Sequence, residues 1–326
     1  MAACRLCAAT LERLVVDLGM SPLCESYVAA EHLNRMEPFY PLRALVCERC
    51  WLVQVEEYVS PGEIFGEYAY FSSYSESWLA HARGYVDAIA PRLGLGAASF
   101  VVELGSNDGY LLQYVVARGI PALGIEPARN VAAAALGRGV PTRVALFGRA
   151  EAAALVAERG RADLVVGNNV LAQVSDLNDF VAGIATLLAP DGVVTLEFPH
   201  LARLLAEVQF DTIYHEHFSY FSLATSTRVL AAHGLRVFDV EELPTHGGSL
   251  RIFACQAGST RWPAETRVAR VLAAEAEAGL ERPETYAALG ERVAEVKRGL
   301  LDFLIRCRRA GERVTGYGAP GKGNTL

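Results

Sequence analysis

The chain has 326 residues, of which 52% are hydrophobic and 21% charged, and its net charge at pH 7 is −7. That apolar supply suits one large domain with something smaller attached, and it excludes wholesale disorder. Lys and Arg form no block longer than RCRRAGER at 306–313, the solvated end of a helix, which argues against nucleic acid as a partner. No apolar run approaches the ~18 residues of a bilayer span.

The first zone, residues 1–60, opens with MAACRLCAATLERL, which lacks the basic start and apolar core of a signal peptide. A reducing cytoplasm is the expected compartment. Seven cysteines, an odd count, include Cys4-x-x-Cys7 and Cys47-x-x-Cys50. In a chain of this length the pairs favour metal over a disulfide framework. Two such knuckles supply the four sulfurs of a closed tetrahedral zinc site, which leaves no position for a substrate and is therefore structural. Short β-like runs, FYPLRALVC and WLVQVEEYV, surround them.

Residues 61–98 are first aromatic, GEYAYFSSYSESW, and then helical through LAHARGYVDAIAPRLGL. From 99 onward strands alternate with amphipathic helices: ASFVVELG, YLLQYVVARG, PALGIEP, VAAAALGRG, RADLVVGNN, NDFVAGIATLLAP and GVVTLEFP in turn. The alternation predicts a parallel sheet covered on both faces. The IYHEHFSYFS stretch at 213–222 follows, placing His215, Glu216 and His217 on the rim where strand ends form a ligand crevice. ATSTRVLAAHGL is a helix ended by Gly234, LRVFDVEEL and GSLRIFACQ are strands, and a long helix covers roughly 284–310. VTGYGAPGKG then predicts a strand entering a glycine turn, with a second G-x-G-x-x-G at Gly316, Gly318 and Gly321. Gly323 replaces the hydroxyl residue of a P-loop, and the strand and turn read as the start of a truncated further domain.

The first strand and turn, FVVELGSNDGYLL, lack the second glycine of a dinucleotide fingerprint and carry Glu103 two places before Gly105. This resembles the first motif of class I S-adenosylmethionine-dependent methyltransferases. The resemblance implies that the Gly105, Asn107, Asp108, Gly109 turn approaches the cofactor's methionine portion. It implies further that Glu126 in LGIEP takes the ribose hydroxyls, and that Asn168 and Asn169 stand at the mouth of a later strand. A nicotinamide dehydrogenase is the rival reading.

CxxC…CxxC, EYAYFSSYS, ELGSNDG, NNVLA, YHEHFSYFS, THGGSLR and GYGAPGKGN occur here in the order of the nucleotide-sugar C-methyltransferases, over essentially the whole chain. That resemblance implies a class I (Rossmann-like) α/β methyltransferase domain at 61–280. A zinc lobe at 1–60 precedes it, and a linker helix with the start of a C-terminal α/β domain occupies 281–326. It implies methyl transfer from S-adenosylmethionine to a carbon beside the ketone of a dTDP-4-keto-deoxysugar, usually C3, by a monomer with structural Zn2+. Acid/base roles fall on Tyr214, Glu216 and His217. A neutral imidazole suits removal of that carbon's proton, so His217 is the expected base. Glu216 would orient it or hold its charge, and Tyr214 would donate toward the enolate oxygen. Tyr68, Tyr70, His246, Ser249 and Arg251 are expected substrate contacts, with Arg251 on a phosphate. Gln173 in NVLAQV departs from the family's His. A small-molecule O- or N-methyltransferase, or an inactive zinc and cofactor scaffold, are the alternatives.

Overall fold

In the computed structural model, which describes residues 2–316 and 320–326, the N-terminal zone is built on β1 (Arg13–Ser21), β2 (Tyr40–Val46) and β3 (Val53–Val55). Alternation is clean in β2, where Leu42, Ala44 and Val46 are buried while Arg43 points to solvent. A capping box of Ser60 and Glu63, with Pro61 at the first helical position, opens α1 (Pro61–Phe65). Ser75 caps α2 (Glu76–Leu93), and Gly94 ends it in the left-handed conformation.

The alternating zone forms as the sequence predicts: β4 (Val101–Leu104), α3 (Leu112–Val116), β5 (Ala122–Ile125), α4 (Arg129–Gly137), β6 (Thr142–Arg143), α5 (Arg149–Arg159), β7 (Ala162–Asn168), α6 (Leu177–Leu187) and β8 (Leu188–Pro199). It is followed by α7 (Leu201–Glu207), β9 (Ser219–Tyr220), α8 (Leu223–Ala231), β10 (Leu235–Leu243) and β11 (Ser249–Gln256). The C-terminal part is helical: α9 (Thr266–Glu277), α10 (Pro283–Ala287), α11 (Leu289–Ala310) and α12 (Pro320–Thr325).

Seven strands lie in the order β10-β11-β8-β7-β4-β5-β6. The run from β6 to β8 is parallel, and β11 is antiparallel to both neighbours. A hairpin thus replaces the parallel sixth strand of the dinucleotide fold, giving the expected class I methyltransferase sheet. Neighbouring residues face opposite sides: Val102 and Val165 pack with Leu155 and Phe180, while Val101 and Val166 pack with Tyr85 and Ile89. The order reverses at β4, so the crevice opens beyond the carboxyl ends of β4 and β7.

A four-stranded sheet, β1-β2-β3-β9, takes its last strand from the YHEHFSYFS segment, with Val53 opposite Tyr220 and Gln54 opposite Ser219. Its core residues Val15, Leu42 and Val53 pack with Leu201, Ile213 and Tyr286. The rim loop and the N-terminal lobe are therefore one packed unit.

The strand expected over VTGYGAPGKG does not form in its described part. Residues 312–316 have no regular structure, Gly318 lies outside the described residues, and Gly321 and Lys322 belong to α12. That helix is docked: Asn324 Nδ2 donates to the Pro22 carbonyl (3.0 Å) and Thr325 Oγ1 to that of Ile213 (2.7 Å). The long helix expected from 284 is split at Ala288 into α10 and α11. No helix among the described residues is long and apolar enough to cross a membrane.

Candidate active site and zinc site

The four cysteine sulfurs converge within 4.8 Å of one another. Cys4 and Cys50 are 3.5 Å apart, as are Cys7 and Cys47. The two knuckles are built alike. The residue four places after the first cysteine, Ala8 or Trp51, has positive φ and donates its N–H to that cysteine's carbonyl. A tetrahedral ion with Zn–S bonds of about 2.3 Å requires sulfurs about 3.8 Å apart, which this cluster matches with little movement. Buried Gln54 donates from Nε2 to Cys4 Sγ at 3.3 Å and is itself on the strand beside β9. The donor set fits a structural zinc.

Beyond the switch point lie two adjoining cavities. The first, about 360 Å³, runs from Gly105 and Glu126 to an apolar slot between Leu146, Phe147 and Phe180. The second, about 430 Å³, is bounded by Trp78, Tyr214, His217 and His246. Tyr68, Gly105, Asn107, Asn168 and Gln173 line both. The two cavities therefore adjoin along this shared lining.

Gly105 has φ +62°, and a Cβ there would stand 3.1 Å from Val170 Cγ2, so the turn needs glycine on two counts. Asn107, also at positive φ, donates its backbone N–H to Glu126 Oε2 at 2.8 Å, and its Oδ1 accepts from the Ser72 N–H. Glu126 Oε1 takes the Ala128 N–H at 2.9 Å. Burial raises the Glu126 carboxyl, against the pull of those two N–H groups. Asn168 is buried with both amide atoms unpartnered among the described residues.

On the rim, the His217 N–H closes a turn on the Tyr214 carbonyl at 3.0 Å. His215 and Glu216 occupy its corners, and the rings of Tyr214 and His217 come to 4.1 Å. His217 Nδ1 lies 3.0 Å from the Thr212 carbonyl, which can only accept, so Nδ1 carries the proton. Nε2 then presents its lone pair, and the Tyr214 hydroxyl donates to it at 2.8 Å. Burial pulls the imidazole down to about 4, so it is neutral at pH 7.

Glu216 does not touch His217. It accepts from the Cys24 thiol (3.0 Å) and the Tyr68 hydroxyl (2.8 Å), so the expected orienting role passes to the Thr212 carbonyl. The reason is the turn: a corner residue points away from the pair that the turn joins. His215 bonds from Nε2 to the Pro41 carbonyl (3.1 Å), pinning the rim to β2. Tyr70 lines the second cavity, edge-on to Tyr68. His246 lines it too, its Nε2 taking Asn169 Nδ2 at 3.2 Å and its ring edge-on to Trp78.

Arg251 is a correction. It sits in β11 opposite Glu197 of β8 and pairs with that fully buried carboxylate at 2.6 Å, with Glu241 at 3.2 Å. Its guanidinium lies over the Tyr85 ring, away from both cavities. Ser249 is also turned away, donating to the Thr245 carbonyl at 2.9 Å to close the loop that carries His246. Glu103, Asp108 and Gly109 likewise line neither cavity. Asp108 is held by Arg138 (2.7 Å) and the Ser73 hydroxyl, and Gly109 makes room for Val140. Glu103 is fully buried in β4, and burial holds its carboxyl well above the usual range.

The chain matches three families: a zinc binding domain over residues 4–65, a methyltransferase domain over 78–240, and a C-methyltransferase C-terminal domain over 244–326. It is 38% identical over 323 residues to C-methyltransferase NovU of Streptomyces niveus, covering 99% of this chain and 77% of that one. The chain belongs to the C-methyltransferase family. Its fold is also similar to magnesium protoporphyrin IX methyltransferase of Synechocystis (14% identity, 55% of this chain, 82% of that chain, TM-score 0.43) and to the CcbJ methyltransferase of Streptomyces caelestis (14%, 54%, 90%, 0.43).

This C-methyltransferase uses S-adenosylmethionine, and the first cavity fits it. The slot at Phe147 and Phe180 suits a flat base, and the Glu126 carboxylate has lone pairs left for ribose hydroxyls. Asn168 offers amide groups that cost about 1–3 kcal/mol if left unpaired. Trp78, Tyr110, Thr212 and Lys322 also line the second cavity, though no sequence motif points to them. Trp78 stacks between His81 and Tyr110, and Lys322 arrives on α12, which no local pattern announced.

Backbone strain marks both sites. Seven described non-glycine residues have positive φ. Ala8 and Trp51 form the zinc knuckles, Val208 ends α7, and Glu25, Asn107, Asn169 and His246 all line the second cavity.

Proposed function

We propose that this C-methyltransferase methylates the carbon beside the ketone of a dTDP-linked 4-keto-deoxysugar, most simply at C3, and that the second cavity holds this acceptor. The observation that carries the reading is the Tyr214–His217 pair: a buried neutral imidazole with a usable lone pair, on the wall of a cavity that adjoins the cofactor's. The resemblance of YHEHFSYFS and THGGSLR to the nucleotide-sugar enzymes supports the choice of acceptor.

His217 Nε2 takes the proton from the acceptor carbon. The C–H bond breaks, an N–H bond forms, and the electron pair moves toward the ketone oxygen. The Tyr214 hydroxyl, released from Nε2, donates to that oxygen. Glu216 fixes Tyr68 at the shared wall, so its part is positioning. When bound, S-adenosylmethionine supplies the methyl group on a sulfonium centre. Gln173 lines both cavities, and its amide holds position without taking a proton.

Solvent deuterium exchange at the acceptor carbon, followed by NMR without cofactor, tests the pair. Exchange should be lost in His217→Asn and kept in His215→Asn. Mass spectrometry of products from a panel of dTDP-4-ketosugars tests the acceptor. Failure of every member to exchange or gain a methyl group would end this reading.

A further inference from the structure

Of the four strained residues on the acceptor cavity, Asn107, Asn169 and His246 belong to motifs around the cofactor turn, the β7 mouth and the loop before β11. Glu25 belongs to none of these. It comes from the N-terminal lobe, in the segment after β1, and holds φ +58° where a glycine would be unstrained. Its side chain lines the cavity with Tyr27 of the same segment. Its Oε2 is buried and has no hydrogen-bond partner among the described residues. Burial and the nearby Glu216 raise this carboxyl to about 7. A strained backbone delivering an unsatisfied acid into a binding cavity costs stability twice and returns nothing to the fold.

We propose that Glu25 accepts a hydrogen bond from a hydroxyl or amine next to the carbon that is methylated, and so decides which acceptors the enzyme takes. This rests on the reading of the second cavity as the acceptor site. A carboxylate set against a donor discriminates strongly, because an acceptor lacking the donor leaves the buried Oε2 unpaired. An amine, charged when bound, makes the stronger contact. Lys322, brought by α12 to the same cavity, leaves room for a bipolar arrangement around the sugar ring.

The test compares wild type, Glu25→Gly and Glu25→Gln on dTDP-4-ketosugars bearing an amine, a hydroxyl or hydrogen beside the reacting carbon. Glu25→Gly relieves the positive φ, so its melting temperature should rise by about 2 °C, with zinc content and S-adenosylmethionine affinity unchanged. Its KM for donor-bearing acceptors should rise about 10- to 100-fold, and the preference over the hydrogen-bearing sugar should vanish. Glu25→Gln, which keeps an acceptor oxygen, should retain the hydroxyl sugar and lose the advantage of the amine. Turnover by Glu25→Gly with wild-type KM and unchanged preference would overturn this inference alone. Turnover of no sugar by wild type would overturn the ketosugar reading, and this inference with it.

Discussion

Deuterium exchange at the acceptor carbon should run nearly as fast at pH 5.5 as at pH 7.5. His217 is held down to about 4 by burial, with the Thr212 carbonyl only partly opposing. An imidazole of ordinary pKa ~6.5 would be about one-tenth in its basic form at pH 5.5, against about 97% for one at 4. The two cases differ tenfold in exchange rate at that pH. The assay is NMR-detected exchange into deuterated buffer across pH 5 to 8, with cofactor absent so that only the proton step is read. His217→Asn should lower the rate about 10²- to 10⁴-fold at every pH. Tyr214→Phe leaves Nε2 free but removes a donor to the enolate oxygen, for a loss of about 10²- to 10³-fold. An acid limb with its midpoint near 6.5, or wild-type exchange in His217→Asn, would refute the reasoning.

The same burial has a stability consequence with a definite sign. The unfolded imidazole binds a proton below pH ~6.5, while the folded one resists until about 4. Stability present above 6.5 is therefore lost as pH falls toward 4, by up to about 1.4 kcal/mol per unit from this group. His217→Asn should flatten the melting temperature against pH over that window, and circular dichroism at each pH separates unfolding from loss of the base.

Metal analysis should find one zinc per chain, lost in Cys47→Ser and kept in His217→Ala; zinc loss in the histidine variant would move the metal to the rim. Because β9 is shared between the lobe sheet and the rim, removing zinc with a chelator should also abolish exchange, although zinc touches neither cavity. Arg251→Ala removes the strongest partner of the buried Glu197 carboxylate and leaves it only His81 and the Thr245 hydroxyl, both at 3.0 Å, so it should cost about 2–4 kcal/mol in thermal or denaturant unfolding, with much of it recovered when Glu197→Gln is added. A fall in acceptor affinity without loss of stability would instead put Arg251 in the site. Glu126→Ala should weaken S-adenosylmethionine binding about 10- to 100-fold by calorimetry while leaving cofactor-free exchange intact.

The sheet was legible because each strand of the alternating zone is an apolar run bounded by turn residues, and burial on both faces demands nothing else of it. The zinc site was legible because two thiolates on one knuckle have a fixed spacing. Partnership across the sheet was not. Glu197 and Arg251 sit 54 positions apart in strands that the sequence presents separately, and each looks like a charge near a crevice. The signal was there in TLEF, since an acid inside an otherwise apolar strand either pairs with a cation or has its carboxyl raised by burial, as Glu103 does, and the strand paired beside Glu197 supplied a cation. Without the pairing order, the sequence points Arg251 outward, to a phosphate. Lys322 and Glu25 were missed for a related reason, because they reach the cavity on segments from opposite ends of the chain, docked together through Asn324 and Pro22.

The rim shows how local geometry divides neighbouring residues between tasks. In Tyr214-His215-Glu216-His217 the hydrogen bond from position four to position one forces the outer side chains together and the inner two apart. The outer pair becomes a hydroxyl and imidazole with a shared proton, facing the cavity. Of the inner pair, His215 reaches back to β2 and Glu216 reaches down to Tyr68, so each anchors the turn to a different neighbour. Immediately after the turn, Ser219 and Tyr220 pair with the strand carrying Gln54, whose amide bonds the zinc-site sulfur of Cys4. The cysteine cluster and the Tyr214–His217 pair are thus two ends of one hydrogen-bonded frame. A lobe that gives no wall to the cofactor cavity is in this way tied directly to the turn that carries His217.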